Sequence, residues 1–447
     1  MPSAFTSASE PTSSSEIPVV DAERIVEIEQ RHHRVSELLE SVGCFGLLLQ
    51  RPANIAWFTS GVDLSRGARC ESTAALLITV DARLVLTSNI DSPQIFDCQL
   101  PSLGFQLKER VWTESRQSLL DDLCRGRSMA SDAPGPRLTD VSPRLAALRS
   151  PLGNVETRRL RDLGRDLTHA VEATARNLVA GRTEMEIAGE ISHRMMKRGI
   201  LPERIQAAGD GRTRVYRHWS YGDRPVNRFC VLSAVGRRHG LHCGVTRIVS
   251  FGEPSEELWE DFARTSLVHA TAMFFSKSGW SLADVWGRIQ RIYEKFGCAD
   301  EWRNCEQGEV IGYSPCETAV LPRSEYPLES GTAIHWHPSA GAAFMGDTVL
   351  VGTEKTERVT GANEGWPLLV VQVKGTEVSV PDILRRPAAS VVRSAASSHG
   401  ATNGHANIHL PGLHGETELN GAGDSILNMA GDDSVMIVTE PSQSVLD

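Results

Sequence analysis

Gly240-Leu-His-Cys-Gly-Val-Thr-Arg-Ile-Val-Ser-Phe-Gly252 is the stretch whose reading decides the fold. Leu241 to Phe251 reads as a long strand between two glycines, and Phe229-Cys-Val-Leu-Ser233 just before it reads as another. Downstream, Ala333 to His337, Thr348-Val-Leu-Val351 and Leu368 to Val373 have the same texture. Long helices stand among these strands. Thr183-Glu-Met-Glu186 is a capping box leading into Ile187, Ile191 and Met195 at helical spacing, and Gly199 closes the run. A second helix begins at Ser281, carries Val285, Ile289, Ile292 and Phe296 on one face and stops at Gly297. Helices and antiparallel-looking strands in this order predict an α+β layered structure.

Upstream, a helix-like stretch from Glu27 to Leu39 leads into Phe45 to Leu49, Asn54 to Gly61, Ala74 to Ile78 and Leu84 to Thr87, all read as strands. The alternation predicts a smaller α/β domain. Arg127 to Asn154, with Pro134, Pro136, Pro143 and Pro151, reads as a connector. Both ends are poor in groups that build a core, and Pro387 to Asp447 holds no Phe, Trp or Tyr. The expected organisation is a disordered 1–22, a domain at 23–152, a second domain at 153–383 and a disordered 384–447. Val435-Met-Ile-Val438 is the one strand-like run in that tail.

The 447 residues carry 46 Lys and Arg against 56 Asp and Glu, a formal charge of −10. That balance argues against a general grip on nucleic acid or anionic lipid. Apolar runs such as Leu368-Leu-Val-Val371 are far too short to span a bilayer, and the first residues lack the apolar core of a secretory signal. Nine cysteines without a CxxC pair fit reduced thiols. The expectation is a soluble cytoplasmic protein without nucleic-acid or membrane partners.

Four segments resemble, in the right order, the signatures of the creatinase and Xaa-Pro aminopeptidase family, and together they cover residues 23 to 383. Asn54-Ile-Ala-Trp-Phe-Thr-Ser-Gly61 is similar to its N-terminal signature, and Gly240 to Gly252 to its paired-strand motif. Gly308-Glu-Val-Ile-Gly312 with Cys316-Glu317, and Gly331 to Pro338 with Gly346-Asp-Thr-Val-Leu-Val351, resemble its last two motifs. The resemblance implies a pita-bread α+β domain behind a creatinase-type N-terminal domain, a homodimer and a small-molecule substrate.

The family's metallopeptidases hold two metal ions with two Asp, one His and two Glu. In this chain those positions fall on Ser233, Gly244, Glu309, His337 and Gly346, and none retains its ligand. The expected cofactor is therefore none. The alternative is a single divalent ion on a rebuilt site of His242, His335, His337 and Glu309, since His335 and His337 share a strand face while Trp336 faces away.

Creatinase itself hydrolyses a C–N bond without metal, using a histidine as general acid and base. The resemblance places that role on His218, in Tyr216-Arg-His-Trp-Ser-Tyr-Gly222. An imidazole suits the role because it exchanges protons near neutrality. Glu309 and Glu317 are the catalytic partners implied beside it, with His335, His337 and Tyr313 lining the pocket. Arg66 and Arg69 are expected to bind a substrate carboxylate, which a planar guanidinium fits in a bidentate manner. Cys316, at the family's second histidine position, is a nucleophile only if a base lowers its pKa. The functional expectation is a metal-independent hydrolase of an amide or guanidino C–N bond in a small amino-acid-like substrate. The alternatives are a non-catalytic binding or scaffold protein and an Xaa-Pro aminopeptidase-like enzyme with one metal.

Overall fold

The computed structural model describes residues 21–65, 72–388 and 435–438. A helix, Ala22–Val42, opens the first layer, capped by the Asp21 side chain and closed by Gly43 in the left-handed conformation. Behind it lies a six-stranded mixed sheet in the order Gln106–Arg110, Arg83–Ser88, Ala75–Thr79, Gly46–Leu49, Met129–Ser131 and Leu138–Asp140. The expected connector at 127–154 therefore contributes the last two strands of this sheet and the helix Ser142–Arg149. Its prolines sit between elements or at a helix start, where a missing N–H costs nothing.

Asn54 to Phe58, expected as a strand, lies in the helix Pro52–Phe58. Pro52 sits in its first turn, and the buried Asp132 carboxylate accepts from the Gln50 and Arg51 amides and from Asn54 Nδ2 at 2.8–2.9 Å. That long-range cap fixes a turn which the β-branched and aromatic residues alone do not favour.

The second domain is built on two largely antiparallel sheets. One takes the order Leu384–Arg386, Leu241–Phe251, Phe229–Arg238 and Leu201–Gly209. The other runs Thr318–Ala319, Gly308–Ile311, Ala333–Trp336, Asp347–Leu350 and Glu357–Arg358. They meet where Thr246 bridges to Gly346, and where the Gly244 amide donates to Thr348 Oγ1 at 3.0 Å. The helices Asn154–Asn177, Glu184–Met196, Glu256–Phe275 and Leu282–Lys295 cover the outer faces. Thr183 and Ser281 cap two of them as the sequence predicts. Ile55, Trp57, Leu160, Leu167 and Leu232 belong to one buried cluster, so the first domain and the leading helix of the second share a core.

Part of the expected tail is ordered. Leu384–Arg386 adds to the first sheet parallel to Val249–Phe251, and Val435–Val438 pairs antiparallel with Val370–Val373. The rest of the expected tail, the expected N-terminal segment before Asp21, and Arg66 and Arg69 lie outside the described residues.

Behind the sheet junction, Arg247 is fully enclosed. Its guanidinium donates to Glu172 at 2.9 Å, Asp347 at 3.1 Å and the Thr360 carbonyl at 2.8 Å. His269 Nε2 lies 3.1 Å from Asp347, and Glu172 also accepts from the Asn363 side chain and amide. Removing the cation leaves two buried carboxylates undercompensated, so Arg247→Leu is expected to cost about 3–5 kcal/mol, read from the midpoint of denaturant unfolding.

Candidate functional site

Strand register assembles the site. Glu309 stands directly opposite His335, and side chains paired in this way share a sheet face. His337 lies two residues on and shares the face, while Trp336 turns the other way and donates Nε1–H to Ser276 Oγ at 2.9 Å. One carboxylate thus meets two imidazoles: Glu309 Oε1 is 3.1 Å from His335 Nδ1, and Oε2 is 2.5 Å from His337 Nε2.

The two histidines carry their protons differently. Burial lowers His335 to about 4 despite its bond to Glu309. Burial pulls His337 the same way, but the Glu309 charge, with a hydrogen bond to Cys305, overrides it and lifts His337 to about 9. Burial would raise Glu309, yet the charge of His337 and both imidazole hydrogen bonds hold it well below the usual carboxylate range. At neutral pH the cluster is one imidazolium–carboxylate pair with a neutral imidazole attached.

Its shape accounts for the glycine at 244. A Cβ there would stand 2.3 Å from His335 Cε1 and 2.5 Å from Nε2. A Cβ at Gly346 would stand 2.5 Å from Thr246 Oγ1, which itself donates to Ser233 Oγ at 2.9 Å. The space beside positions 244 and 346 is thus filled from within. A dinuclear metal centre does not fit these residues: two of its positions have no side chain and no room for one, and a third carries the serine hydroxyl already engaged. Three donors, from Glu309, His335 and His337, lie within 4.8 Å of one another and fit a single ion such as zinc. His242 is not among them, since its Nδ1 lies 3.1 Å from the Gly312 carbonyl.

Glu309 and His337 open onto a cavity of about 440 Å³ that is also lined by His218, Arg204, Glu306 and Cys316. His218 stands at the rim, its Nε2 3.1 Å from Glu306 Oε2. With Cys305 these two form a second group of potential ligand atoms within 4.8 Å. The structure thus brings His218, Glu309 and His337 onto one cavity, with His335 buried beside them.

Other expected site residues sit elsewhere. Glu317 is buried in a bidentate ion pair with Arg149, at 3.2 Å from Nε with a closer contact at Nη2, and accepts from the Ser314 amide. It ties the two domains together. Tyr313 is enclosed beside Gly240 at the same junction and does not line the cavity. Burial, reinforced by the Glu309, Glu317 and Glu306 charges, pushes the Cys316 thiol up, opposite to what a nucleophile needs. Arg204 went unnoticed in the sequence because a β-bulge, which no local pattern marks, sets its direction.

Residues 158–360 match Metallopeptidase family M24. No curated protein sequence matches the chain. The prolidase from Pyrococcus horikoshii OT3 is similar in structure, with a TM-score of 0.65 at 16% identity over 75% of this chain and 99% of its own. The Xaa-Pro dipeptidase from Bacillus anthracis has a TM-score of 0.65 at 15% identity, over 80% and 100%. The N-terminal domain of FACT complex subunit SPT16 from chickpea reaches 0.56 at 12% identity, over 76% and 97%. The chain shares the fold of these prolidases and dipeptidases, and the family match lies within its second domain. Among the described residues no helix is long and apolar enough to cross a membrane.

The fit of His335 over position 244 makes a double-mutant cycle informative. Gly244→Ala overpacks the site and is expected to cost about 1–3 kcal/mol, while the same substitution in a His335→Ala background is expected to cost less than about 0.5 kcal/mol, both measured by chemical denaturation.

Proposed function

We propose that the chain is a hydrolase of a C–N bond, amide or guanidino, in a small amino-acid-like substrate, and that it works without the family's metal pair. The observation that carries this reading is the meeting of His218, Glu309 and His337 on one cavity. In the tautomer whose Nε2–H donates to Glu306, His218 keeps a lone pair on Nδ1. That nitrogen takes a proton from water as the water oxygen bonds to the substrate carbon. It then returns the proton to the leaving nitrogen as the C–N bond breaks, so one water is consumed and the imidazole is regenerated. The His337 imidazolium, held by Glu309, faces the negative charge that develops on the substrate.

A single ion on Glu309, His335 and His337 would instead supply a polarised water. The account needs no such step, because both oxygens of Glu309 already serve the imidazoles. The homodimer, carboxylate binding by Arg66 and Arg69, and the cytoplasmic location belong to the same proposal. A second reading, a binding domain without turnover, is favoured by that saturation of Glu309 and by a fold shared with the N-terminal domain of a FACT complex subunit.

Chelator-treated protein, screened against N-acyl and guanidino amino acids, is expected to turn over at least one of them, with His218→Ala slower by about 10²-fold or more. Turnover lost on chelation and restored by zinc would contradict the metal-free mechanism. Tight binding of a partner with no turnover of any substrate would favour the second reading.

A further inference from the structure

We infer that Arg204 is the carboxylate anchor of this cavity, so that its ligand is a small amino-acid-like molecule bearing a free carboxylate. The inference rests on the cavity of the proposed function and names the substrate class for it.

Strand register carries the first part of the argument. Leu201–Gly209 pairs with Phe229–Arg238, which pairs with Leu241–Phe251, and one cross-strand row consists of Arg204, Val235 and Gly244. Residues directly opposite in antiparallel strands project from the same face. Arg204 therefore shares the face of position 244, over which the His335 ring lies. A register shift between Pro202 and Arg204 inserts one residue into the edge strand. Bulges of this kind re-aim a side chain, often beside a functional site. Here the shift puts Arg204 on this row and leaves Glu203 free to pair with Arg237 at 2.5 Å.

The second part is a count of partners. Most arginines near the site are held: Arg149 by Glu317, Arg217 by Glu301 at 2.5 Å, Arg247 by Glu172 and Asp347. The cavity's own carboxylates are also engaged, Glu309 by His335 and His337 and Glu306 by His218. Arg204 has no hydrogen-bond or ion-pair partner among the described residues, and its Nε is buried without one. A buried donor left unmatched costs free energy that a ligand acceptor can recover.

The third part is position. Arg204 lines the cavity together with His218, Glu309 and His337. Its charge opposes protonation of both His335 and His337, which sets the guanidinium on the imidazole side although Arg204 also borders a neighbouring depression with Ser220 and Tyr221. A guanidinium offers two parallel N–H donors to one carboxylate. A carboxylate seated there would present the adjoining C–N bond to His218 and His337.

Isothermal titration of the full chain with hippurate and hippuramide, which differ only in carboxylate against amide, tests the assignment. The wild type is expected to bind hippurate about tenfold or more tighter, and Arg204→Gln is expected to bring the two within about twofold. Arg204→Lys, with charge but no fork, should fall between them, and Arg204→Met replaces the Gln variant if that one does not fold. Equal binding of the two ligands by wild type, no binding of either up to about 10 mM, or an undiminished preference in the Arg204 variants would overturn the inference. His218→Ala is expected to keep the hippurate preference. A preference for hippurate in a wild type that turns nothing over leaves Arg204 assigned and removes the hydrolase reading alone.

Discussion

The His335 ring lies where a side chain at position 244 would stand, and much of the site follows from that exclusion. With glycine at 244 and again at 346, the two sheets meet without a side chain between them at these positions. Thr246 takes the volume beside Gly346, and Thr348 exchanges hydrogen bonds with the Gly244 backbone. A buried imidazole needs a partner for at least one nitrogen, and Glu309, directly across the ladder, supplies it. Glu309 then has a second oxygen to satisfy, and His337 meets it. Three substitutions that look like independent losses are thus one rearrangement of polar groups.

This rearrangement depends on a rigid support. Arg247, Glu172, Asp347 and His269 form a charge network beneath the junction, reaching the long helix Asn154–Asn177 on one side and Glu256–Phe275 on the other. On the opposite side, Arg149 and Glu317 lock the first domain to the turn after Gly308–Ile311, the strand that carries Glu309. The cavity lies between these two fixed points. Its walls hold an imidazolium, an unpaired guanidinium and an exposed histidine, a set suited to an anionic substrate more than to a hydrated metal pair.

Local patterns made much of the architecture readable. The glycine-bounded Leu241–Phe251, the capping box at Thr183 and the alternation of His335, Trp336 and His337 each follow from rules acting within a few residues. What escaped rests on distant partners. Pro52–Phe58 is a helix because Asp132, nearly 80 residues on, caps it, and Glu317 is held by Arg149 from the other domain. Val435–Val438 becomes a strand only through Val370–Val373, whose open edge it covers. Arg204 owes its direction to a single inserted residue, and hydrophobic periodicity carries no record of a one-residue slip. The glycine at 244 was plain in the sequence, whereas the ring that lies over it required the packing of two sheets.

Everything in this account turns on Glu309 and His337 forming an ion pair in place of a metal cage. Nitrogen NMR of the histidine side chains in chelator-treated protein, followed across pH, observes that pair directly. The account predicts that His337 stays protonated up to about 9 while His335 remains neutral down to about 4. Titration of His337 near the ordinary histidine value of about 6.5 would contradict it.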